Sequence, residues 1–186
     1  MLFRFLTAII LAVLAPVMAQ ADDYRAGNDR YVVTTLRAAP GQWVKLKALI
    51  EAQGEAGVAG PDGHVAPYRI RHSQGDQWDF MLIRPVSSLP DFMEERGADA
   101  GGFYAAAAAL SDYSEDWLVR GPGHAALARH YRGAGLFHVE MFRARAGMKD
   151  RLVDQRIREN AFLAATNAVE NAIFVGEFGA DWDVMT

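Results

Sequence analysis

The sequence predicts an α+β fold in which one β-α-β-β-α-β unit is written twice, the second time incompletely. Three observations carry this. The stretch GDQWDFM (Gly75–Met81) returns as GADWDVM (Gly179–Met185). RYVVTTLRAAPGQW (Arg30–Trp43) aligns with LFHVEMFRARAGMK (Leu136–Lys149), setting Val33 on Val139, Arg37 on Arg143, Ala38 on Ala144 and Gly41 on Gly147. The two alignments are offset by 104 and 106 residues, so order and spacing both persist, which marks an internal repeat.

Each copy opens with a strand of alternating β-branched or aromatic residues, Tyr31–Ala38 and Leu136–Ala144. A Gly turn leads to a helix. Gln42–Gln53 sets Trp43, Leu46 and Ile50 on one face, and Met148–Thr166 does so with Val153, Ile157, Ala161 and Ala164. Two strands follow, Pro67–Ser73 with Gln77–Arg84, then Ala172–Phe178 with Asp181–Thr186. Gly75-Asp76 and Gly179-Ala180 supply the hairpin turns between them. In the first copy LPDFMEERGADAGGFYAAAAALSDY predicts a helix interrupted near Gly101-Gly102, since the Ala run favours helix. Glu115–Pro122 reads as a fourth strand and His124–Tyr131 as a connecting helix.

The first copy thus has the ferredoxin-like element order. The expected organisation is an export signal over 1–21, a first ferredoxin-like repeat over 30–122, a connecting helix over 123–135, and an incomplete second repeat over 136–186. The second copy lacks the counterpart of the final helix and strand. The expectation is a truncated reading of a longer protein, short of roughly 40 residues by the repeat comparison. A partner chain supplying the lost strand is the rival.

Bulk composition narrows the function classes. Half of the 186 residues are apolar (51%), enough for a packed core. The net charge of −4 argues against a nucleic-acid protein, which needs surplus cations to displace counterions. Sixteen of the nineteen basic residues are Arg, which suits bidentate carboxylate contacts and equally reflects coding bias. With no Cys, neither disulfides nor thiol chemistry is available. Met1–Arg4 is positive, Phe5–Leu14 is apolar, and APVMAQA offers cleavage after Ala19 or Ala21. This pattern predicts a periplasmic or secreted protein with no stable membrane span once the signal is removed.

Strand alternation nominates chemistry. His138 and Glu140 share a face where the first copy has Val32 and Thr34 as neighbours, an asymmetry between otherwise similar strands. The pair suits a general base with its orienting carboxylate. A hydrogen-bonded pair at a solvent-facing or inter-sheet position accounts for it as well. Arg69 and Arg71 share a face of the second strand and could clamp a carboxylate, or pair with Asp79 across the hairpin. Tyr68, Ile70 and His72 share the other face. His72 is a candidate ligand-binding residue, including for haem. Trp78-Asp79 and Trp182-Asp183 occur in both copies, which favours core and turn roles over a single active site. His124 and His130 are six apart, which does not suit a metal pair on one helix face. No metal or cofactor motif is present.

This duplicated order resembles the dimeric α+β barrel superfamily from Arg30 to Thr186. Members build two ferredoxin-like units whose sheets close face to face, in some cases within one chain. The Trp-Asp-(Phe/Val)-Met copies also look like those of uncharacterised exported bacterial proteins. The superfamily includes cofactor-free monooxygenases of aromatic substrates, haem-binding and haem-degrading enzymes, and small-molecule-binding or stress-related proteins. The resemblance therefore implies a cavity and a small-molecule ligand, with a monooxygenase-like activity within its range. The alternative is a non-catalytic periplasmic scaffold that acts through association, including with further copies of itself.

Overall fold

The computed structural model describes residues 27–60, 65–73, 77–86, 88–90, 92–93 and 102–186. The expected export signal and the turn at positions 75–76 lie outside the described residues. The elements are β1 (Asp29–Ala38), α1 (Trp43–Glu51), β2 (Tyr68–Arg71), β3 (Phe80–Val86), α2 (Phe103–Leu110), β4 (Ser111–Gly121), α3 (His124–Gly133), β5 (Met141–Phe142), α4 (Lys149–Ala165), β6 (Phe174–Phe178) and β7 (Val184–Met185). The strands make one sheet in the order β2-β3-β1-β4-β6-β7-β5, every pairing antiparallel.

Both faces of this sheet are buried. Along β1, Tyr31 and Val33 point one way and join Tyr68, Met81, Trp117, Phe174, Trp182 and Met185 in a single cluster. Tyr68 belongs to β2 and Met185 to β7, near opposite ends of the strand order. They meet because the sheet curls, giving a barrel-like α+β fold whose inner face is apolar. The next residues along β1 point outward. Leu36, with Phe80 and Leu82 of β3, packs on Leu46 and Ile50 of α1 and Ala107 of α2. The helical spacing seen in Gln42–Gln53 therefore marks the side of α1 that lies on the sheet.

The repeated motifs make the same bonds in both places. The Asp79 carboxylate accepts the Ala38 N–H at 2.8 Å, and the Asp183 carboxylate accepts that of Ala144 at 2.8 Å. The Asp79 N–H donates to Leu36 O, and the Asp183 N–H to Phe142 O, each at 2.8 Å. Gly41 and Gly147 both adopt positive φ, +77° and +71°, in the turn before α1 and α4. Side chains other than Gly resist that conformation, which explains why this residue returns in each turn. Trp78 and Trp182 both sit in the inner cluster. The Asp carboxylates thus bind backbone, and neither pairs with Arg69 or Arg71.

Three elements differ from expectation. The helix ends at Leu110 and β4 starts at Ser111, earlier than the strand predicted from Glu115. Pairing with β1 extends to Ala38 opposite Ser111, and the ladder outweighs the helical propensity of the Ala run. The strand expected over Leu136–Ala144 is ordered as strand only at Met141–Phe142. Its last ladder bonds join Glu140 and Thr186, and among the described residues no strand pairs with 136–139. The two final strands are likewise shorter than expected, at Phe174–Phe178 and Val184–Met185. Among the described residues, no helix is long and apolar enough to cross a membrane.

Candidate functional site

A cavity of about 550 Å³ opens at the seam between β2 and the segment leading into β5. One wall is Tyr68, Ile70, Met81 and Ile83, from β2 and β3. The facing wall is Val139, Phe174 and Met185. Helix α3 closes the end with Leu127 and Tyr131.

α3 is held there by identifiable contacts. The Asp29 carboxylate accepts the His124 N–H at 2.9 Å, putting a negative charge at the helix N-terminus where the dipole favours it. The Tyr31 hydroxyl donates to Pro122 O at 2.6 Å, just ahead of the helix. Burial raises the Tyr31 pKa, so this donor stays protonated. At the other end, the Tyr131 hydroxyl donates to Arg69 O at 2.8 Å and accepts the Arg69 N–H at 3.3 Å. Those backbone groups lie on the edge of β2 that faces away from β3, so one phenol covers part of an otherwise open edge. The Tyr131 ring stacks on Phe137 at 5.2 Å and meets Tyr68 edge-on at 5.1 Å.

The lining is mainly apolar with a margin of polar side chains, the usual composition of a small-molecule site. Besides the phenols of Tyr68 and Tyr131, Arg129, His130, His138 and Glu170 are its titratable members. Burial lowers the His130 pKa, favouring the neutral imidazole. Burial raises the Glu170 pKa. Its Oε2 is buried and has no hydrogen-bond partner. The cavity therefore offers an apolar slot with a neutral imidazole and a reluctant carboxylate at its margin. Leu136 and Val169, 84% and 78% exposed, also contribute to its lining.

The raised Glu170 value has a pH signature. Ionisation is harder in the fold than in the unfolded chain, where the carboxyl titrates near pH 4.3. The stability it contributes is complete below that pH and is lost as pH rises through the folded value. Glu170→Gln is therefore expected to raise the melting temperature at about pH 7.5 and leave it unchanged near pH 3.5. Thermal melts of both proteins across this range check it, and equal gains at both ends would count against a desolvated carboxyl.

The residues nominated from sequence are spread over several places. His138 lies in the cavity lining and is exposed. Glu140 is not in that lining, and its backbone pairs with Thr186. No hydrogen bond or ion pair joins the His138 and Glu140 side chains among the described residues. Arg69 and Arg71 are also outside the lining. The Arg69 guanidinium donates to Ile50 O at 3.2 Å and Glu51 O at 3.1 Å. It thereby caps the C-terminal carbonyls of α1, where a cation is favoured. Arg71 is exposed. His72 stacks on Trp78 at 4.2 Å, and its Nδ1 lies 2.8 Å from Trp78 O. Sequence reasoning passed over Glu170 and weighed His130 only as half of a metal pair. Neither carries a local motif, and only the path of the chain brings them to one opening. Among the described residues, no three His, Asp or Glu side chains group as a metal site.

None of the protein families, curated proteins or solved structures compared with this chain matches it.

Proposed function

We propose that this chain is an exported small-molecule-binding protein whose ligand occupies the cavity inside the curled sheet. The carrying observation is the cavity of about 550 Å³, walled mainly by aromatic and aliphatic side chains, with Arg129, His130, His138 and Glu170 among its polar groups. The ligand class this favours is a largely apolar, ring-sized molecule.

The proposal includes an architecture: two ferredoxin-like units, the second incomplete, joined by α3 in the manner of the dimeric α+β barrel superfamily. Its support is the order β2-β3-β1-β4 in the first half, continued as β6-β7-β5. The matching Asp79 and Asp183 bonds add to it. Export rests on the Met1–Ala21 pattern, and the N-terminal sequence of the mature product tests it. A monooxygenase-like activity would draw its base from the lining, where His138 and His130 stand.

The test is saturable binding of 1-anilinonaphthalene-8-sulfonate, an apolar fluorescent probe. Ala172 is small, 9% exposed and part of the cavity wall, so a larger side chain there fills the cavity. Ala172→Trp is expected to weaken probe binding at least tenfold while circular dichroism stays native. Unchanged affinity in that variant, or no saturable binding by the parent, removes the cavity as the site.

One observation favours a second reading, a non-catalytic association module. Leu136, Phe162, Val169 and Phe178 are each at least 66% exposed. Large exposed apolar side chains in number mark interaction surfaces. A tight oligomer in sedimentation velocity, with no probe binding, would select this reading.

A further inference from the structure

We propose that the ligand of the cavity is an organic cation, an apolar ring carrying a protonated amine that pairs with the Glu170 carboxylate. This holds only if the cavity is the ligand site, as proposed above. Glu170 lines the cavity from the connection between α4 and β6. Its Oε2 is buried without a hydrogen-bond partner, and among the described residues no ion pair ties the carboxyl to a base. Drawing a carboxylate out of water is costly unless a cation or hydrogen-bond donors replace that water, so such a group normally has a partner. A bound ammonium supplies one.

Of the charges in the lining, that of Glu170 is the one drawn away from solvent. Arg129 and His138 are exposed, so water screens them. His130 is half-buried, and burial lowers its pKa towards the neutral imidazole. Glu170 is half-buried as well, and burial raises its pKa. That is the shift a carboxyl shows when nothing nearby compensates its charge. A neighbouring ammonium opposes the shift and favours the ionised form.

The walls suit the same ligand. The Tyr131 ring meets Tyr68 at 5.1 Å and Phe137 at 5.2 Å, so three rings in contact line the cavity together. Aromatic faces attract ammonium groups as well as apolar rings. A neutral guest would use the rings but leave the carboxylate in drier surroundings than before, with its charge still uncompensated. The acid is also carried on an anchored segment. Asn171, next to Glu170, is tied to Asn160 of α4 by two hydrogen bonds of 2.8 Å. The class is therefore a ring-bearing amine that is protonated at neutral pH.

Titration calorimetry with 1-naphthylmethylamine and 1-naphthalenemethanol tests the proposal, since the two share a ring system and differ in one charged group. The amine is expected to bind the parent about tenfold tighter than the alcohol, or more. Glu170→Gln keeps the shape of the side chain and removes its charge. In that variant the amine is expected to lose its advantage, while the alcohol still binds and circular dichroism stays native. Ala172→Trp is expected to weaken both ligands. Equal affinities for amine and alcohol in the parent, both weakened by Ala172→Trp, would overturn the cation assignment and leave the cavity as the site. An amine preference that survives Glu170→Gln overturns it too, as does loss of both ligands in a natively folded Glu170→Gln protein. Saturable binding of neither ligand by the parent removes the cavity reading together with this one.

Discussion

Trp182→Ala is expected to lower the free energy of unfolding by about 3–5 kcal/mol, the range for deleting a large buried aromatic. Trp182 is 6% exposed and lies in the inner cluster, edge-on to Trp117 at 5.2 Å. A side chain of this kind buries roughly 150–250 Å². One effect opposes the loss. Trp182 Nε1 has no acceptor, and removing an unpaired buried donor recovers about 1–3 kcal/mol. The cavity left by a whole indole outweighs that recovery, so the net change stays destabilising. Trp182→Phe keeps most of the packing and drops the donor, so its cost is expected to be much smaller. Trp78→Ala should match Trp182→Ala in size, since Trp78 is 7% exposed in the same cluster. Urea unfolding midpoints measure all three. A Trp182→Ala midpoint equal to that of the parent would show that the repeated motif is not a core anchor.

Asn160→Leu is expected to cost about 2–4 kcal/mol and to impair the cavity as well. Asn160 is the one buried polar side chain recorded on α4, at 4% exposure. Its Nδ2 donates to Asn171 O and its Oδ1 accepts the Asn171 N–H, both at 2.8 Å. Leu has nearly the same shape, so no void forms. The loss comes from two half-buried backbone groups left without partners, each worth up to about 1–3 kcal/mol. Asn171 lies between Glu170 and Ala172, and all three line the cavity. Displacing that segment should weaken binding of the apolar probe along with stability. Parallel urea and probe titrations check this, and native values in both would show that the Asn160–Asn171 pair holds nothing in place.

Much of the fold was legible because its signals are local. The alternation in Tyr31–Ala38, the apolar spacing of Leu46 and Ile50, and the glycines of the turns each express a backbone requirement. The repeat added long-range information, since the same Ala, Gly and Trp-Asp spacing implied the same contacts twice. Ends of elements were less legible. Nothing local in Leu110-Ser111 says that a ladder with β1 begins there, and residues 136–139 have strand-like composition but no partner strand among the described residues.

The candidate site was legible only in part, for the same reason. Tyr68 and Ile70 were correctly placed on one face, and that face lines the cavity. Glu170, His130 and Ala172 lie in or beside connections and meet only after the sheet curls. Arg69 looked like a ligand clamp because its nearest cation in sequence is Arg71. In space its nearest acceptors are the last carbonyls of α1, which the sequence places 18 and 19 residues away.

Tyr131 gives the enclosure an unusual doorway. Along most of the sheet, neighbours are stitched by repeated amide pairs, but beside the opening a single phenol spans from α3 to the rim of β2. For the ligand proposed above, opening this rim would break the two bonds of one hydroxyl and no ladder pairing.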